Sequence, residues 1–129
     1  MAKVLIVEDE KALSEAYELV LKKEGHDVEV AANGEEALEA CQKTTPDLIL
    51  LDLRMPRMDG VEFLKKLEPS KTMPKTKIII FSNYDSHDEI DSAYTLGASR
   101  YILKAWSSPS DLIKVVNETL SGETVEHKA

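Results

Sequence analysis

The chain has 129 residues, 43% of them hydrophobic and 31% charged. That length and mix fit one globular domain with its own core and exclude a disordered polymer. Sixteen Lys and Arg against 24 Asp and Glu leave a net charge of −8, a field that disfavours direct binding to nucleic-acid phosphates or an anionic membrane. The single cysteine, Cys41, excludes an internal disulfide framework, and no apolar run has the length of a membrane span or the form of a signal peptide, so the expected compartment is the cytoplasm.

Taken in chain order, strands and helices alternate. Val4-Leu5-Ile6-Val7 is a continuous branched run, which predicts a strand buried on both faces. A helix follows, with Leu13, Ala16, Tyr17, Val20 and Leu21 on one stripe and Gly25 as its terminator. Val28-Glu29-Val30 alternates and predicts an edge strand with one wetter face. Asn33-Gly34 opens a second helix that turns Ala37, Leu38 and Cys41 inward. Leu48-Ile49-Leu50-Leu51 is another fully buried strand. The third helix begins at Asp59, with Glu62 three positions on as in a capping box, and Pro69 ends it. Ile78-Ile79-Ile80-Phe81 forms the fourth strand. Ser86 and Glu89 predict a capping box for the fourth helix, which closes at Gly97, and Tyr101-Ile102-Leu103 gives the fifth strand. The last helix starts with Ser108 as cap and Pro109 in its first turn, and runs through Leu112, Ile113, Val116 and Leu120 to Gly122. Residues 123–129 read as a polar tail.

Strand then helix, repeated five times, predicts an α/β fold: an open, doubly wound parallel sheet with helices on both faces. In such sheets ligands bind outside the carboxyl ends of the strands, where the strand order switches. Those ends carry Glu8, Asp9 and Glu10 after the first strand, Asp52 after the third, Ser82 at the fourth and Lys104 at the fifth. Alone, the acidic triplet is an ordinary helix N-terminus, favoured by the macrodipole. With Asp52, Ser82 and Lys104 it becomes a cluster whose carboxylates need a cation to stay ionised together, and magnesium suits one or two carboxylates plus phosphate oxygens. A carboxylate held at the end of a rigid strand can attack phosphorus to form an acyl phosphate, with Lys104 and the Ser82 hydroxyl left to bind the phosphoryl oxygens.

The set Glu8-Asp9, Asp52 followed by Met55-Pro56-Arg57-Met58-Asp59-Gly60, Ser82, and Tyr101 three before Lys104 resembles the receiver domain of two-component response regulators, over residues 3 to 122. The resemblance implies a flavodoxin-like sheet of order 2-1-3-4-5 with five helices. It implies a stand-alone phosphoacceptor domain that takes a phosphoryl group from a sensor histidine kinase or phosphotransfer protein onto Asp52. Mg2+ is then held by Asp9 directly, by Glu8 largely through water, by Asp52 and by the Arg54 backbone carbonyl. Ser82 takes the place of the switch hydroxyl, Lys104 of the phosphate-contacting lysine and Tyr101 of the switch aromatic. The output surface is the face of the fourth helix, fifth strand and fifth helix, turned toward a downstream protein. The chain is then no enzyme in the ordinary sense, with at most self-catalysed phosphorylation and slow autodephosphorylation.

Departures from the family pattern are local. Ala105 follows Lys104 where the family has proline joined by a cis bond, a geometry that costs a non-proline residue about 2.5–4 kcal/mol. Asn83 stands where the family has a small residue, and Arg54 and Tyr84 occupy variable positions that influence the lifetime of the acyl phosphate. Arg100 before Tyr101 does not resemble the acidic pair of receivers that dimerise on this face, so a monomer is expected. Trp106 reads as an anchor between the fifth strand and fifth helix, Met55 and Met58 as loop packing, Cys41 as a core residue, and His26, His87 and His127 as surface residues in turns or the tail. Two alternatives use the same residues: a phosphorylation-independent binding module on this fold, and a phosphatase of the haloacid dehalogenase type, which needs a second acid where this chain has Arg54. Flavin binding fits less well, because Glu8-Asp9-Glu10 replaces a phosphate cradle.

Overall fold

A computed structural model describes residues 2–82, 87–104 and 108–122. Five parallel strands, β1 (Lys3–Val7), β2 (Asp27–Ala31), β3 (Leu48–Leu51), β4 (Lys77–Ser82) and β5 (Arg100–Leu103), form one sheet in the order β2-β1-β3-β4-β5. Five helices connect and follow them: α1 (Lys11–Lys23), α2 (Gly34–Lys43), α3 (Gly60–Leu67), α4 (His87–Thr95) and α5 (Pro109–Ser121). A single helical turn, Pro69–Thr72, follows α3.

The strand periodicity sorts the apolar residues into two cores. Leu5, Val7, Ile49, Leu51, Ile78 and Ile80 face Ala37, Phe63, Leu64 and Ala93 on one side of the sheet. Val4, Ile6, Leu48, Leu50, Ile79 and Phe81 face Leu21, Leu112 and Val116 on the other. This is why β1, β3 and β4 needed unbroken apolar runs: both faces of each are covered. β2 lies at an edge and keeps Asp27 and Glu29 exposed, as its alternation predicted.

The helix ends follow their caps. The side chains of Asn33 and Asp59 accept the Glu36 and Glu62 amides at 3.0 and 2.9 Å, and Ser108 forms a reciprocal capping box with Asp111. Three expectations change. On α1, Ala16 is exposed and Ser14 is buried instead, its hydroxyl donating back to the Lys11 carbonyl at 3.1 Å so that a polar side chain can sit against the sheet. Pro69 does more than end α3: Glu68 turns left-handed at φ 49° and Pro69 opens the next helical turn, where its missing N–H costs nothing. His87 is the first residue of α4 rather than part of a turn. The Ser86 cap, Trp106, the Lys104–Ala105 peptide, His127 and the tail lie outside the described residues.

Two loops bind the sheet's carboxyl edge tightly. The Gly34 amide donates to the Met58 carbonyl at 3.1 Å and the Gly60 amide to the Leu53 carbonyl at 3.0 Å. A Cβ on Gly60 would lie 2.7 Å from the Asp52 carbonyl oxygen and 2.8 Å from the Leu53 Cα, both main-chain atoms. Gly60→Ala is therefore expected to cost about 1–3 kcal/mol of stability by overpacking, measured by urea denaturation; an unchanged midpoint would show that the loop gives way freely. Cys41 is buried on α2, and burial, with the Glu29 charge adding to it, pushes its thiol from 9.0 up to about 11. The folded state thus holds this proton more tightly than the unfolded chain, a contribution to stability complete below pH 9 and lost as pH rises toward 11. The native thiol is expected to resist Ellman's reagent at about pH 8 and to react fully in denaturant; fast reaction in the folded state would contradict the burial.

Candidate functional site

Two strand ends deliver the acidic residues. The Glu8 amide extends the β1–β2 ladder to the Ala31 carbonyl at 3.0 Å, and the Asp52 amide extends the β3–β1 ladder to the Val7 carbonyl at 3.0 Å, so both side chains leave a rigid sheet edge. One carboxylate oxygen from each of Glu8, Asp9 and Asp52 lies within 4.8 Å of the others. Glu8 and Asp52 are only 3% and 7% exposed, whereas Asp9 faces solvent and leaves the cluster reachable from outside.

Lys104, directly after β5, supplies the counter-charge. Its Nζ donates to Asp52 Oδ2 at 2.9 Å and makes a close ion pair with Glu8 Oε1. Burial by itself would lower the lysine's pKa, but the bonds to Glu8 and Asp52 override it and hold the ammonium above its ordinary value. Glu8 moves the other way from an ordinary carboxylate: burial, reinforced by the neighbouring Asp52, pushes it up to about 7 despite the lysine. One ammonium does not balance three acids in a half-dry cleft.

The surroundings are polar where a phosphate would need them. The Arg54 amide donates to Asp52 Oδ1 at 3.1 Å, fixing the carboxylate from the loop side. Ser82 closes β4, level with Leu103, and its fully buried hydroxyl has no hydrogen-bond partner among the described residues. Such an orphan is costly unless a ligand or water completes it. Tyr101, level with Ile80 in the register, packs against the core beneath α4 and hides its hydroxyl oxygen from solvent. Met55 and Met58 pack in the β3–α3 loop, as expected.

Two participants were not singled out from the sequence. Tyr17, read as one of the helix stripe, meets Phe81 edge-on at 5.3 Å and lines, with Glu8 and Asp52, a cavity of about 10 Å³ under the carboxylates. Its hydroxyl pKa is raised, chiefly by burial. Glu89, read only as a capping partner, forms a close ion pair with the Arg54 guanidinium across 35 residues of sequence. Tyr17 had a signal in its helical spacing; nothing in the sequence could have announced Glu89. Asn83 and Tyr84 lie outside the described residues.

Comparison with known proteins fits this geometry. Residues 4–117 match the response regulator receiver domain. The chain belongs to that family. The receiver is 36% identical over 115 residues to the response regulator ArlR of Staphylococcus saprophyticus, covering 89% of this chain and 51% of the relative, so it spans about half the length of that curated protein. Among solved structures it resembles a CheY-like receiver domain protein of Methanospirillum hungatei, with a TM-score of 0.88 and 32% identity over 95% of each chain. It also resembles the chemotaxis protein CheY4 of Vibrio cholerae, with a TM-score of 0.83 and 32% identity over 92% of this chain and 98% of the other. The sheet order and five helices are those of this fold, and the domain has the phosphoacceptor signalling role of two-component systems rather than that of an ordinary enzyme. Receivers bind Mg2+ in an acidic pocket, and Glu8, Asp9 and Asp52 form one here. They interact with histidine kinases or phosphotransfer proteins. No described helix is long and apolar enough to cross a membrane.

Because the Lys104 ammonium competes with any cation for Glu8 and Asp52, Lys104→Ala is expected to tighten Mg2+ binding several-fold, measured by isothermal titration. Loss of Mg2+ binding in that variant would contradict the competition.

Proposed function

We propose that Asp52 is the phosphoacceptor and that the surrounding residues divide the work of receiving, holding and reporting the phosphoryl group. What supports this most directly is the placement of a buried carboxylate at the end of β3, open toward Asp9 and held by Lys104 and the Arg54 amide. An Asp52 oxygen bonds to phosphorus as the phosphorus–nitrogen bond of a phosphohistidine breaks, and the departing imidazole keeps the electron pair. The step needs alignment and charge neutralisation more than proton transfer. Asp9, Glu8 through water, Asp52 and the Arg54 carbonyl are the residues that would hold Mg2+, and their all-oxygen, crowded donor set fits a hard cation. When bound, Mg2+ neutralises charge on the phosphoryl oxygens.

Lys104 then exchanges its bond to Asp52 for one to a phosphoryl oxygen, and the Ser82 hydroxyl, otherwise unpartnered, donates to another. Drawing Ser82 toward the site changes the space beside Tyr101, and the ring's position carries the state of Asp52 to the face formed by α4, β5 and α5. That face is the surface offered to a downstream protein. Arg54, Asn83 and Tyr84 set how long the acyl phosphate survives, by controlling access of water. The domain spans residues 3–122 and acts in the cytoplasm as a monomer, Arg100 being engaged with Glu118 of α5 at 3.7 Å instead of forming an acidic surface pair.

With acetyl phosphate and Mg2+, the parent protein is expected to gain one phosphoryl group, seen by intact mass, and Asp52→Asn to lose more than about 99% of that labelling, the scale expected when a nucleophile is removed. Equal labelling of the variant would refute Asp52 as the acceptor, and sustained turnover of p-nitrophenyl phosphate would favour a phosphatase.

A further inference from the structure

Arg54 is tied to the site by its main chain and to α4 by its side chain. Its amide donates to Asp52 Oδ1 at 3.1 Å, while its guanidinium pairs with Glu89 in the first turn of α4. The pair spans a groove of about 300 Å³ lined by Leu53, Arg54, Val61, Asp88, Glu89 and Ser92. The ion pair thus bridges the groove by charge. The arginine is 51% exposed and the glutamate 27%, which puts the pair in the weak class that a stronger anion can outcompete.

We propose that Glu89 is a positioning residue for phosphorylation: it holds the Arg54 guanidinium on α4 and releases it to the phosphoryl group on Asp52. The inference rests on Asp52 being the acceptor. Phosphorylation replaces a carboxylate of charge −1 by a phosphoryl group of about −2 with three strong acceptor oxygens, two residues from Arg54 on the same loop. A guanidinium prefers such a group, which it can meet bidentately, to a single partly solvated carboxylate. Glu89 therefore opposes the phosphorylated state, and by linkage the phosphorylated state loosens α4 from the β3–α3 loop.

The test uses beryllofluoride with saturating Mg2+ as the phosphoryl stand-in, its affinity read from amide NMR shifts. Glu89→Gln, which keeps shape and removes charge, is expected to tighten beryllofluoride binding about two- to fivefold, the range set by an exposed ion pair. In an Arg54→Gln background the same substitution is expected to change nothing. A merely structural role for Glu89 would shift the melting temperature and leave this difference between backgrounds absent. Unchanged affinity in Glu89→Gln, or an equal change in both backgrounds, overturns the inference while leaving the acceptor assignment standing. A parent protein that takes up no beryllofluoride removes both.

Discussion

Like charges gathered at one sheet edge impose the constraint from which the rest of this molecule follows. Glu8 and Asp52 emerge from adjacent buried strands, and Asp9 adds a third carboxylate at the rim. Desolvation, reinforced by the neighbouring Asp52, raises the cost of keeping Glu8 ionised and pushes its pKa up to about 7. The fold does not relieve this by moving the acids apart. It inserts one ammonium, Lys104, against three carboxylates, an excess of negative charge that suits a divalent cation. The site is therefore poised by electrostatics, and its occupancy changes local bonding in a predictable direction.

That poise is useful only because the sheet edge cannot relax. The unbroken apolar runs of β1, β3 and β4 are covered on both faces, so their carboxyl ends are fixed by two cores rather than one. The close approach of Gly60 to the Asp52 carbonyl fastens the main chain at the end of β3 to α3, and Gly34 fastens α2 to the same loop. Between the β3–α3 loop and α4, Arg54 and Glu89 meet across a groove. An exposed ion pair beside a rigid site is a place where a local change in charge can become a change of surface.

The sequence made the strand ends legible because each element carries a strong local signal. Continuous branched runs marked the buried strands, Asn33, Asp59 and Ser108 marked helix starts, and strand–helix alternation then placed Glu8, Asp9, Asp52, Ser82 and Lys104 at one edge. Ser14 was missed because its back-bond to the Lys11 carbonyl cancels the polarity that periodicity counts. Spacing marks Lys104 as a candidate to contact a phosphoryl group, but its bonds to Glu8 and Asp52 depend on three-dimensional charge balance that spacing does not encode. Glu89 was hidden for the same reason, as a helix-start acid whose partner is brought near only by the fold.

In the proposed reading the acidic cluster binds a divalent cation and, through Asp52, drives Ser82 and Tyr101. An amide NMR titration tests it most directly, first with millimolar Mg2+ and then with beryllofluoride added. Mg2+ is expected to move the resonances of residues 8, 9, 52 and 54, and beryllofluoride then to move those of Ser82, Tyr101 and Lys104. Resonances at residues 8, 9 and 52 that stay fixed through the Mg2+ addition would contradict it.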